Sequence, residues 1–207
     1  MIQQLQRIYG MSSRIEYPSV TYVHLPKTGG KSIRQWMQTI SGHQSISRSP
    51  PKNCTREEWV QVKHPDTNHI RKAYGIQDLG YVFTCVRNPY DRIVSGYKHL
   101  TYFSLIDKCS FKDFILNEIE FKAFMKPMSA FFCEDKIDYA IRFENMKEDF
   151  SVIQKKLNKN ESLPIVGKQF INENSYKKIL DSFPDSRKII YDRYNSDFEM
   201  FGYKEEL

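Results

Sequence analysis

Apolar residues recur along this chain with two periods, and the two alternate. Val20–Leu25 (VTYVHL) is β-branched and aromatic, which predicts a strand. After the segment PKTGGKS, Ile33, Trp36, Met37 and Ile40 fall at i, i+3, i+4 and i+7, one face of a helix. A second strand is predicted at Tyr81–Val86 (YVFTCV), a nearly continuous apolar run of the kind buried on both faces. Arg87 follows, then Asn88 and Pro89, a helix cap and a first helical residue. The helix they open carries Tyr90, Ile93, Val94 and Tyr97 on its apolar side. A third strand, Asp138–Phe143 (DYAIRF), leads into MKEDFSVIQKKL, striped by Met146, Phe150, Ile153 and Leu157. Between the second and third strand–helix units FKDFILNEIEF predicts a helix entered through Ser110. Near the end, SRKIIYDRYNSDFEMF predicts a helix stopped by Gly202.

Strand followed by helix, three times over, implies parallel pairing. The expected class is α/β, a three-layer α/β/α sandwich around a central parallel sheet. Ligands of such sheets bind at the carboxyl ends of the strands. The segments after Leu25 and after Val86 are therefore the first places to look for a site. The 207 residues fit a single domain, residues 1–207, with no internal repeat and no obvious linker. The most loop-like stretch is Ser41–Asn53 (SGHQSISRSPPKN).

Composition narrows the classes. Apolar residues at 40%, with 14 Phe and 13 Tyr, exclude a disordered or low-complexity chain. No stretch approaches ~18 consecutive apolar residues, so no membrane span is expected. The first twenty residues hold no apolar signal core, and a cytoplasmic location is the expectation. Lys and Arg number 31 against 25 Asp and Glu, a net charge of +6 that suits an anionic partner. No dense basic run argues for nucleic acid. Cys54, Cys85, Cys109 and Cys133 show no metal-binding spacing and read as free thiols in a reducing compartment. Oligomeric state is not legible.

The segment PKTGGKS carries the chemistry. Two adjacent glycines let the backbone turn tightly and aim several N–H groups at one point. The helix N-terminus adds its positive dipole end. Lys27 and Lys31 add charge, and Thr28 and Ser32 add hydroxyls. Together they predict a cradle for a phosphate or sulfate. Gly30-Lys31-Ser32 also ends a Walker A loop, but Leu25 stands where that motif needs its first Gly. The second strand runs into Arg87 rather than an Asp that could organise Mg²⁺. An Arg attracts an anion and repels a metal. Two other readings remain at this point. One is a P-loop nucleotide kinase or NTPase using ATP and Mg²⁺. The other is a non-catalytic module binding sulfated glycan or nucleic acid.

HLPKTGGKS, RNPYDRIVSGY, IRFENMKEDF and IIYDRYNSDFEMFGY, in this order from Thr21 to Tyr203, resemble segments of the PAPS-dependent sulfotransferases. The likeness is nearest to the carbohydrate-type branch, with its heparan and chondroitin enzymes and short bacterial and viral members. The resemblance implies a P-loop-like sulfotransferase fold and an enzyme using PAPS (3′-phosphoadenosine 5′-phosphosulfate), with PAP as product and no metal. It implies direct in-line transfer to a hydroxyl, most often on a glycan; that no nucleic acid partner and no membrane span are expected follows from the composition above. Lys27, Thr28, Gly29, Gly30, Lys31 and Ser32 match the loop that holds the 5′-phosphosulfate, and Lys27 matches the catalytic lysine. Arg87 and Ser95 match the residues that hold the 3′-phosphate. A hydroxyl acceptor needs a base, and a His of near-neutral pKa is the usual choice. His64 matches a His position of some branches. Glu57 or Glu58 is the weaker option, and His24 is expected only to pack. Arg92 is expected in surface ion pairs, and Arg142 near carboxylates. Glu144 and Asn145 are expected to face the site from the third strand end. Lys168 and Asn172 are expected on a loop over the nucleotide.

Overall fold

The structure, a computed structural model, describes residues 20–41, 64–74, 77–118, 123–166 and 173–205. The three expected strands form one parallel sheet: β1 (Val20–Val23), β2 (Tyr81–Val86) and β3 (Tyr139–Arg142), in that order. The register pairs Val23 with Thr84 and Val86 with Arg142. The three strands therefore leave the sheet at one edge, and residues 24–32, 87–95 and 143–145 gather there.

Alternation along β2 explains the layers. Val82 and Val86 pack with Leu25, Ile70, Phe131 and Phe201 on one face. Phe83 and Cys85 pack with Ile33, Trp36, Ile141 and Ile153 on the other. That second face is covered by α1 (Gly30–Ser41), and its partner there is the helix after β3. The first is covered by α2 (Thr67–Tyr74) and the turns around Phe131. Thr84, buried in the central strand, donates its hydroxyl to the Val23 carbonyl at 2.8 Å and so costs little there.

A second core lies beyond the sheet. It joins α3 (Pro89–Tyr102) to two later helices, α5 (Glu173–Leu180) and α6 (Ser186–Phe201), while α4 (Met146–Lys156) stays on the sheet. Tyr90, Ile93, Phe114, Ile190 and Phe198 fill that core. Asn88 caps α3, its side chain accepting from the Tyr90 N–H, with Pro89 first in the helix. Gly202, at φ 63°, ends α6 in the left-handed conformation that glycine favours.

One expected helix changes its winding, and its last residues, 119–121, lie outside the described residues. Ser110 and Asp113 form a capping box, but regular helix spans only Phe111–Asp113 and then widens through Phe114–Glu118. Arg193 Nη1 takes the Ile115 carbonyl at 2.8 Å, an acceptor that a continuing helix would use itself. Phe114 and Ile115 both reach full burial in this wider turn. Trp36 lies on the buried face of α1 as expected, its Nε1 donating to the Glu161 carbonyl at 2.8 Å.

Candidate active site

The turn between β1 and α1 is built around Lys27 and the two glycines. Lys27 sits at φ 66° and Gly29 at φ 84°. For a lysine this left-handed geometry costs roughly 1–2 kcal/mol, so the surroundings impose it. Thr28 Oγ1 donates to the Leu25 carbonyl at 3.1 Å, and the Cys85 thiol donates to the Thr28 carbonyl at 2.8 Å. A Cβ on Gly29 would strike the Phe143 ring, and one on Gly30 would strike His24 and the Tyr22 hydroxyl. Only glycine lets α1 start this close to β1.

Lys27 is half-buried, and its ammonium titrates at about 7. Burial is the largest cause, followed by the charges of Lys31 and Arg87. Lys31 itself is exposed. Ser32 Oγ accepts from the Val166 N–H at 3.2 Å, which brings the chain at 161–166 beside the start of α1. That is the beginning of the expected covering loop. Lys168 and Asn172 lie outside the described residues.

Arg87 leaves β2 with 8% exposure. Its guanidinium carbon stands 4.3 Å from the Phe143 ring centre and 5.0 Å from that of Tyr176. Its Nε has no hydrogen-bond partner among the described residues. Ser95, 5% exposed, lies two turns along α3. Glu144 meets the same edge from β3. One oxygen accepts from the Asn88 N–H at 2.7 Å, and the other accepts from the Tyr203 hydroxyl at 3.0 Å. Burial and this carboxylate push the Tyr203 phenol well above its ordinary pKa. Asn145 turns instead to Asp149. Arg142 lies under Tyr203 and donates to the Phe201 carbonyl; its expected carboxylate contact is made by its backbone N–H, to Asp149.

His64 reaches the loop through His24. Its Nδ1 lies 3.0 Å from the His24 carbonyl, and the two rings are 4.4 Å apart. A carbonyl can only accept, so Nδ1 carries the hydrogen and Nε2 keeps its lone pair in the neutral ring. The His24 ring lies against Gly30, and its backbone carbonyl sets the tautomer of His64. Glu57 and Glu58 lie outside the described residues.

Arg92 overturns the expectation of surface ion pairs. It is fully buried, because α3 turns this face onto the loop and onto α6. No pattern of neighbouring residues announces this, since its partners are distant carbonyls. Among the described residues, no group of three or more His, Cys, Asp or Glu is placed to hold a metal ion. No described helix is long and apolar enough to cross a membrane.

These features define a parallel α/β protein with a glycine-rich, cationic loop at the carboxyl edge of its sheet. The sequence model of the Sulfotransferase family matches residues 16–204, and the chain belongs to that family. It is also similar to a solved sulfotransferase from Alicyclobacillus acidocaldarius, at 13% identity over 86% of this chain and 96% of that one, with a TM-score of 0.46. No match is found among curated proteins.

Proposed function

We propose that the protein transfers a sulfuryl group from PAPS to a hydroxyl acceptor, with a carbohydrate as the acceptor class. The observation that carries this is the meeting of Lys27 and Arg87, cations from two strand ends, in a half-buried site. Anions lying between them offset both their mutual repulsion and the cost of burying their charges. The unpartnered Nε of Arg87 gains an acceptor at the same time. A donor with two separated phosphate groups fits both places.

PAPS supplies the sulfuryl group on a bond to phosphate that breaks during transfer. The loop N–H groups of Gly29 to Ser32, with Thr28 and Lys31, hold the 5′ end. Protonated Lys27 stabilises the charge that gathers on the leaving phosphate oxygen. Arg87 and Ser95 hold the 3′-phosphate, Arg87 through two N–H groups at once. Nε2 of His64 takes the proton that the acceptor hydroxyl gives up. The carbohydrate class rests on the resemblance of the four motifs.

Calorimetric titration tests the donor. PAP is expected to bind at about micromolar Kd without metal, and ATP with Mg²⁺ far more weakly. Preference for ATP with Mg²⁺ would replace this reading with a nucleotide kinase. The base is tested separately. His64→Ala is expected to lower transfer to an oligosaccharide acceptor by ~10²–10⁴-fold, with PAP affinity unchanged. Normal turnover in that variant removes His64 from the mechanism and leaves the donor site standing.

A further inference from the structure

We propose that Arg92 is a positioning residue that clamps the Pro26 carbonyl, and with it the turn presenting Lys27, to the segment at 125–129. The proposal rests on the donor-site reading above. Arg92 Nε donates to the Pro26 carbonyl at 3.1 Å, and Nη2 donates to the Lys126 carbonyl at 2.9 Å. Pro26 immediately precedes Lys27, whose φ of 66° needs an outside hold. The guanidinium thus joins the site's loop to a segment that α6 holds.

The alternative is that Arg92 serves a buried ion pair with Asp197. The geometry argues against it. A guanidinium built for a carboxylate meets it with two parallel hydrogen bonds. Here Nη1 stands 3.9 Å from Asp197 Oδ2 and has no hydrogen-bond partner among the described residues. Both Asp197 oxygens are committed to backbone, accepting from Met128 N–H and Ser129 N–H at 2.8 Å each. Tyr194 donates to the Met125 carbonyl at 2.8 Å. So α6 fixes the 125–129 segment by itself, and Arg92 carries that rigidity across to the loop. Burial disfavours the Arg92 charge, and a packed apolar side chain would be cheaper at this position. What arginine alone supplies is donors for two carbonyls on separate segments.

The charges that face these groups come from several elements. Lys31 of α1 and Arg87 after β2 act on Lys27, and Asp197 and Tyr194 of α6 act on Arg92. If the clamp is released, Lys27 moves towards water and its titration rises towards the ordinary value. A residue that only supports the fold would not shift it.

The test is PAP affinity from pH 6 to pH 9 in the wild type and in Arg92→Lys, whose single ammonium cannot span both carbonyls. In the wild type, affinity is expected to decline once the pH passes about 7, where free Lys27 loses its proton. In Arg92→Lys, affinity at pH 7 is expected to be about tenfold lower, with the onset of decline at least about one pH unit higher. The variant Arg92→Met, which keeps the stem's packing and both Asp197 acceptor bonds to the 125–129 segment, should behave alike if the lysine variant does not fold. A folded variant with a lower Tm but wild-type affinity and onset would reduce Arg92 to a structural role. Absence of PAP binding in the wild type would instead overturn the donor-site reading.

Discussion

Lys27→Met is expected to lower sulfuryl transfer by at least ~10²-fold, the usual cost of removing one donor to a developing oxyanion. The nucleotide should still bind, because the loop N–H groups and Arg87 remain. The same variant is expected to be more stable than the parent at pH 6–7. Lys27 titrates at about 7 in the folded chain against an ordinary 10.5, so folding disfavours its charged form. Below pH 7 the ammonium is charged in both folded and unfolded chains, and the full penalty is present. The penalty fades as the pH rises from 7 and is gone above 10.5. Removing the strained, half-buried ammonium therefore raises Tm at pH 6–7, and the gain shrinks in alkali. Stability and transfer rate, measured together, should move in opposite directions. Transfer at the parental rate would exclude Lys27 as the catalytic cation.

Arg87→Ala is expected to weaken PAP binding by about 10²-fold, since charge-assisted hydrogen bonds contribute ~1.5–3 kcal/mol each. Adenosine 5′-phosphate, which lacks the 3′-phosphate, should lose little. Equal losses for both ligands would show that Arg87 does not hold the 3′ end. Arg87→Lys should recover only part of the affinity. A lysine cannot lie flat between the Phe143 and Tyr176 rings or bind phosphate through two fixed donors. The fold should tolerate both changes, because Nε of Arg87 satisfies no acceptor among the described residues.

The parts of this chain that the sequence announces are local or periodic. The apolar runs of β1, β2 and β3 mark themselves, and so do the Asn88-Pro89 helix start and the Gly202 stop. Because the sheet is parallel, knowing the strands also places the loop at 26–32 and Arg87 at one edge. What the sequence hides depends on partners far along the chain. Arg92 looks like a helix-surface arginine until the carbonyls of Pro26 and Lys126 are seen beside it. Glu144 shows no sign of joining Asn88 to Tyr203. The left-handed turn at Lys27 is equally silent, because lysine has no preference for it. The widened turn at Phe114–Glu118 is hidden for the same reason: the local pattern announces a helix there but not its winding, and the Arg193 bond to the Ile115 carbonyl comes from far along the chain.

The Cys85 thiol gives this fold its own clock. It is fully buried beneath the Thr28 carbonyl, and burial pushes its pKa far above that of an ordinary cysteine. A thiol in that state is inert, since the thiolate is the reactive form and no reagent reaches it. It reacts only during moments when the 26–30 turn lifts from β2. The rate of its labelling thus counts those moments. The turn's opening frequency is written in the chemistry of one sulfur that takes no part in the reaction.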